Sequence, residues 1–348
     1  MMTSNLEREI YQQPEVIRGL LNGQRHMAQQ IAAAIRAFDP ACVCIAARGT
    51  SDNAARYAQY LFATHANLLV ALATPSVHTL YETAPNLKRA LVIGISQSGQ
   101  SEDIRRVLTD AREQGALTVS ITNDPNSPLA KLAQFHLDIG AGPELAVAAT
   151  KTYTGELAAV ALLVSALIES AAFDEALATL PDAVSETLRL SEPIAGWVER
   201  YRYMEQFAVL GRGYNYCTAF EISLKVKELN ALPGEGYSEA DFRHGPIAVI
   251  QPGFPVVVVA PAGKTFNTQL DLLQKLYEKQ AECLVITNEV EACRPYARKL
   301  LSIPASLPEW LTPIAAVVPG QLFAMHLASA RGLSLDQPIG LTKVTNTY

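Results

Sequence analysis

The sequence predicts an α/β protein made of two copies of one doubly wound (flavodoxin-like) domain, each a parallel five-stranded sheet flanked by helices. Three observations carry that expectation. Apolar, β-favouring runs alternate with stretches of helical periodicity, which implies parallel strands covered on both faces. The runs then recur: Ala47-Arg48-Gly49 returns as Gly211-Arg212-Gly213, Leu91-Val92-Ile93 as Val256-Val257-Val258, and Val119-Ser120-Ile121-Thr122-Asn123 as Leu284-Val285-Ile286-Thr287-Asn288. All three pairs share an offset of about 164–165 residues, the mark of a duplicated unit. Finally, two strands of the first copy run into turns rich in glycine and hydroxyl residues that open onto helices. In such sheets ligands bind beyond the carboxyl ends of the strands.

In chain order, residues 6–37 read as helix, with Pro14 opening a second segment. Pro40 introduces a strand over 41–47, which ends in Arg48-Gly49-Thr50-Ser51-Asp52 before a helix over 53–65. A short strand at 68–73 and a helix near 76–81 lead to a strand at 90–94, a helix over 104–115, and strands at 117–123 and about 135–139. Helices fill 150–170 and much of 173–203, after which the pattern restarts. The expected organisation is an N-terminal helical segment (1–29), a first domain (30–172), a helical linker (173–199), a second domain (200–338) and a C-terminal tail (339–348).

The stretch that carries chemistry is Ile95-Ser96-Gln97-Ser98-Gly99-Gln100-Ser101-Glu102-Asp103. Its three serines can direct hydroxyls to one point, and Gly99 lets the backbone turn tightly. The helix that follows presents amides without internal partners and the positive end of its dipole. Together these make an anion site, most simply for phosphate. The turn holds no lysine, unlike the Gly-Lys-Ser/Thr loop of nucleotide-hydrolysing enzymes. The second copy has Pro261-Ala262-Gly263-Lys264-Thr265 at the matching place, so the phosphate site is expected in the first copy alone. The second copy instead carries Glu221, Lys225, Lys227 and Glu228 on one helix, followed by Phe242-Arg243-His244-Gly245-Pro246.

Composition narrows the partners. With 49% apolar and 18% charged residues, the 348-residue chain can bury two cores and is not disordered. A net charge of −6 without a Lys/Arg cluster argues against nucleic acid. Five cysteines without Cys-x-x-Cys spacing suggest reduced core thiols in a cytoplasmic protein. No signal peptide is evident at the start. The most lipid-like run, 157–167, is too short to span a bilayer and reads as a helix packed in a core or a subunit interface, with no membrane partner.

Taken together, the motifs Gly49-Thr50-Ser51, Ser96-Gln97-Ser98-Gly99-Gln100-Ser101, Leu224-Lys225-Val226-Lys227-Glu228 with Arg243-His244-Gly245-Pro246, and the tail from Asp336-Gln337-Pro338 to Lys343 resemble the sugar isomerase (SIS) family. The chain is most similar to the isomerase half of glucosamine-6-phosphate synthase and to stand-alone glucosamine-6-phosphate deaminases. The ending Gly340-Leu341-Thr342-Lys343-Val344-Thr345 looks more like the deaminases. The resemblance implies that Ser96, Gln97, Ser98 and Ser101, with Gly99 in the turn, hold a sugar phosphate, and that Gly49, Thr50 and Ser51 lie beside it. It implies that Val147 contacts the sugar through its backbone and that Glu228 moves a proton between C1 and C2. His244 would assist ring opening from a neighbouring subunit, Lys343 would contact the open-chain sugar, and Lys225 would lie near the reacting end. A homodimer with shared active sites is a further implication; the chemistry calls for neither cofactor nor metal, and no His/Asp/Glu spacing suggests a metal site.

Residue chemistry suits those roles independently. A carboxylate can take a proton alpha to a carbonyl or iminium and return it to the next carbon. Histidine is the side chain whose ordinary pKa fits ring opening near pH 7. A lysine can polarise a carbonyl or form a Schiff base. Taken singly, Glu228 also reads as one half of a surface ion pair with Lys225 or Lys227, His244 as a helix cap, and Lys343 as a solvated end. Arg48 stands where synthase-type sequences have a cysteine, and its guanidinium could pair with the phosphate or with a carboxylate. The chain starts Met1-Met2 with no glutaminase domain ahead of it, so it is expected not to hydrolyse glutamine itself. The expected activity is conversion of glucosamine 6-phosphate to fructose 6-phosphate and ammonia. Alternatives are an aminotransferase supplied by free ammonia or a partner, a fructosamine-6-phosphate deglycase, and a non-catalytic sugar-phosphate sensor.

Overall fold

Strand order repeats as faithfully as sequence does. The computed structural model describes residues 4–343; Val344 and Thr345 of the expected tail lie outside the described residues. In the first sheet, β1 (Cys42–Ala46), β2 (Val70–Leu72), β3 (Ala90–Ile95), β4 (Leu117–Thr122) and β5 (Phe135–Asp138) run parallel in the order β2-β1-β3-β4-β5. In the second, β6 (Phe207–Gly211), β7 (Gly234–Ser238), β8 (Pro255–Val259), β9 (Glu282–Thr287) and β10 (Lys299–Ser302) take the order β10-β9-β8-β6-β7, also parallel. Each sheet therefore reverses direction between its first and third strands, and that crevice is where a doubly wound sheet binds ligands.

The central strands were legible because they are buried on both faces. Every residue of β3, β4 and β8 is buried, so each appears as an unbroken β-favouring run. Two strands have no such signature. β7 begins Gly234-Glu235-Gly236, and its glycines are steric necessities: a Cβ on Gly234 would stand 2.2 Å from the Phe207 ring, and one on Gly236 2.8 Å from Phe220 Cα. A strand stripped of side chains by close neighbours carries no propensity signal. The short edge strand β10 is similarly hidden, being only half-buried outside Leu301.

The chain divides into two compact units, one around each sheet. In the unit of the first sheet, helix Lys151–Ile168 is buried from Lys151 to Ser165 and packs against helices Arg25–Phe38 and Gly49–His65. It is long and apolar enough to cross a membrane, as is the C-terminal helix of the other unit, but 83% and 94% of their apolar windows are buried inside the protein. Both are core helices. Helix Gly49–His65 starts earlier than its periodicity suggests, because Gly49 at φ 55° lets Arg48, still extended, pass directly into the first turn. Gly213 repeats that conformation at φ 61° after Arg212, so the duplicated Arg-Gly pair encodes one backbone bend.

The unit of the second sheet also takes in helix Asn5–Tyr11 and the segment Leu145–Thr150. The Asp336 carboxylate caps that helix, accepting the amides of Asn5 (3.0 Å) and Leu6 (2.9 Å), while Ser4 Oγ accepts that of Glu7. Glu9, buried in the same helix, accepts the amides of Leu145 and Ala146. The motif residue Asp336 thus has a structural task that needs no substrate. The five cysteines are all free, and burial pushes the Cys44 thiol up to about 11 and the Cys283 thiol to about 12, which leaves both inert near neutral pH.

Candidate active site

In the unit of the first sheet, β3 delivers the chain into the serine turn at the crevice edge. Ser96 Oγ accepts the Gly99 amide (3.1 Å) and Ser98 Oγ accepts that of Gln100 (3.3 Å), so two serines shape the loop through their oxygens and keep their protons for other acceptors. Gly99 sits at φ 63°, and a Cβ there would meet Ser127 Oγ at 2.2 Å; glycine is required on both counts. Ser101 is the N-cap of helix Glu102–Glu113, and its side chain makes no bond to the helix it caps. Gln97 is half-buried.

Two acidic residues open that helix, which would oppose an anion were they not neutralised. Glu102 pairs with Arg105 one turn on. Asp103 is fully buried, accepts the Ile104 amide, and receives Arg48 Nε at 2.7 Å. Of the two partners open to Arg48 from sequence, the structure shows the carboxylate. Ser51 donates its hydroxyl to the buried Glu156 at 2.7 Å, and Gly49, Thr50 and Ser51 form the first turn of their helix. In the same unit, Lys343 Nζ reaches Glu144 Oε2 at 2.8 Å. Glu144 also accepts the amide and hydroxyl of Thr152, which fixes it at the start of helix Lys151–Ile168. The tail lysine is therefore tethered by a buried acid, not frayed.

In the unit of the second sheet, helix Tyr216–Asn230 arranges Glu221, Lys225 and Glu228 at i, i+4 and i+7 along one face. Lys225 is 1% exposed. Its Nζ lies 2.5 Å from Glu228 Oε2 and 3.4 Å from Glu221 Oε1, and Glu221 is fully buried. Glu228, 22% exposed, is the member of the trio that opens outward, onto a cavity of about 340 Å³. Lys227 lies at the mouth, and apolar residues including Leu224, Leu229 and Leu333 form much of the wall. The surface-pair reading of Glu228 is half correct: it does pair with Lys225, but on a buried face, whereas Lys227 points to solvent. His244 is exposed at the end of helix Glu239–Arg243, its amide bonded to Asp241 O, and Gly245 follows at φ 134°. Val147 donates its amide to Asp336 O at 3.1 Å.

The SIS domain model matches residues 41–166 and 204–330, one match on each sheet. The chain belongs to the SIS domain family. A glutamine–fructose-6-phosphate aminotransferase (isomerizing) from Aquifex aeolicus is 34% identical over 338 residues, 97% of this SIS chain and 56% of that protein. The chain thus spans a little over half the length of the curated relatives it matches. A solved chain from Silicibacter pomeroyi DSS-3, described only as a candidate phosphosugar isomerase, superposes with TM-score 0.87 at 31% identity, covering 96% of this chain and 100% of that one. The C-terminal domain of glucosamine-fructose-6-phosphate aminotransferase from Francisella tularensis superposes with TM-score 0.86 at 25% identity, over 97% and 99%.

The second SIS repeat shows what became of the other turn. Gly263 at φ 147° stands where Gly99 stands in the first repeat. There the Glu309 carboxylate accepts the Lys264 amide at 3.0 Å and the Thr265 hydroxyl at 3.4 Å. The turn is filled from within. Glu144 and Glu309 are structural partners with no place in the motifs read from sequence; Asp103 and Glu221 lie in those motifs, and the structure supplies their partners Arg48 and Lys225. Each is an acid placed in a turn or helix face, a pattern that also describes ordinary surface charge.

Proposed function

We propose that the chain is an amino-sugar phosphate isomerase that converts glucosamine 6-phosphate and water to fructose 6-phosphate and ammonia. The observation that carries this reading is Glu228, a carboxylate set on a cavity wall with Lys225 Nζ at 2.5 Å holding it in place. Its named relatives, whose activities concern fructose 6-phosphate and glucosamine, support the substrate class.

In this reading the serine turn takes the phosphate, with Gln97 and Thr50 beside it. His244 moves protons during ring opening, which exposes the C1 aldehyde. Glu228 removes the C2 proton and returns it to C1. The resulting C2 iminium adds water and expels ammonia, so one water is consumed for each ammonia formed. Lys343 and Lys225 stabilise charge on the open chain. The exposure of His244 in a single chain is consistent with use by a second copy, and a homodimer is part of the proposal; a monomeric mass in solution would remove it.

Arg48 has a defined task here. It cancels the buried charge of Asp103 beside the phosphate turn. Arg48→Ala is expected to raise KM for the sugar phosphate about tenfold, roughly 1.4 kcal/mol, with kcat largely unchanged. Adding Asp103→Asn should recover most of that loss, and steady-state kinetics of the single and double variants measure it.

The direct test is ammonia release from glucosamine 6-phosphate. Formation of glucosamine 6-phosphate from fructose 6-phosphate and ammonia, with no release, would favour the reverse direction suggested by the aminotransferase relatives. Release of an amino acid from a 6-phosphorylated fructosamine would favour a deglycase, and binding without turnover a sensor.

A further inference from the structure

The turn after β8 mirrors the serine turn in place and in the backbone hydrogen bond that ties it to the neighbouring strand. Gly263 lies about 164 residues from Gly99, the spacing of the duplication. Ser96 and Ala260, three residues ahead of each glycine, donate their amides to the equivalent carbonyls of Ile121 and Ile286. Both turns open onto a long helix, Phe266–Glu278 in the second repeat. The second turn reads Gly263-Lys264-Thr265, the combination of close backbone approach, ammonium and hydroxyl that suits a phosphate. An anion already sits in it: the Glu309 carboxylate, bound to the Lys264 amide and the Thr265 hydroxyl. A Cβ on Gly263 would fall 2.2 Å from Glu309 Cδ, so the glycine is what admits the carboxylate.

We propose that this turn is a second phosphate-type anion site, closed by the carboxylate of Glu309 acting as its permanent occupant. The equivalence rests on the reading that the serine turn holds phosphate. The backbone of Glu309 is linked in turn to the helix that bears Glu228. The Glu309 carbonyl accepts the Thr312 hydroxyl at 2.7 Å, Thr312 Oγ1 accepts Asn215 Nδ2 at 2.7 Å, and Asn215 precedes helix Tyr216–Asn230. A chain without the carboxylate should therefore accept an external anion and be stiffened by it.

The test uses inorganic phosphate and the full chain. With the first turn disabled by Ser96→Ala and Ser101→Ala, phosphate titrated calorimetrically should show no saturable site. Adding Glu309→Ala should create one saturable site per chain, accompanied by a phosphate-dependent rise in melting temperature that equal ionic strength of chloride does not give. A Glu309→Ala chain that folds only in phosphate supports the proposal equally; should it not fold at all, Glu309→Ser opens the same space with a polar side chain and is titrated in the same way. No new site in the soluble variant overturns the proposal. Absence of phosphate binding by the natural sequence would instead remove the reading of the serine turn, which separates the two.

Discussion

Glu228→Gln is expected to lower kcat by about 10²- to 10⁴-fold, the range for loss of a positioned general base. The amide keeps the size of the side chain but gives up the ion pair with Lys225 and cannot take a proton from carbon. KM for the sugar phosphate should change little, since the proposal assigns the phosphate to the serine turn. Folding should be nearly unaffected, because Lys225 retains Glu221 at 3.4 Å. Ammonia release and thermal melting of the variant check both halves. Near-normal turnover would show that another group moves the proton.

Lys225→Met is expected to cost about 3–5 kcal/mol of stability, as removal of one partner from a buried ion pair does. Lys225 and Glu221 are 1% and 0% exposed, so the substitution removes a positive charge from beside a fully buried carboxylate. Methionine keeps the volume, so cavity formation contributes little. The double variant Glu221→Gln with Lys225→Met removes both charges and should recover much of the loss. Urea unfolding of the two variants measures the difference. Equal destabilisation by the single and double variants would mean that the cost lies in packing and not in charge.

The fold was readable in the sequence where burial and backbone geometry leave marks on residue type. β1, β3, β4, β8 and β9 are apolar runs because both their faces are covered, and Gly49 and Gly213 recur because one bend needs a positive φ twice. β7 left no such mark, since Phe207 and the helix carrying Phe220 leave room only for glycine at Gly234 and Gly236. The candidate site shows the same division. The candidate residues themselves, hydroxyls around a glycine turn and a carboxylate on a helix face, were legible. The acids that hold them in place were not, because Arg48 meets Asp103 across 55 residues, Lys264 meets Glu309 across 45, and Lys343 meets Glu144 across 199. Such pairings depend on the sheet crossovers that bring distant turns together. A reading of local pattern sees only an acid at a helix start, which is where acids are common anyway.

The measurement that bears most directly on the central claim follows hydrogen at carbon. Glucosamine 6-phosphate turned over in deuterated water and examined by proton NMR should yield fructose 6-phosphate carrying solvent deuterium at C1 or the hydrogen that left C2. The Glu228→Gln chain should neither form that product nor exchange the C2 hydrogen of the substrate. Exchange at C2 persisting in that variant at the natural rate would contradict the account.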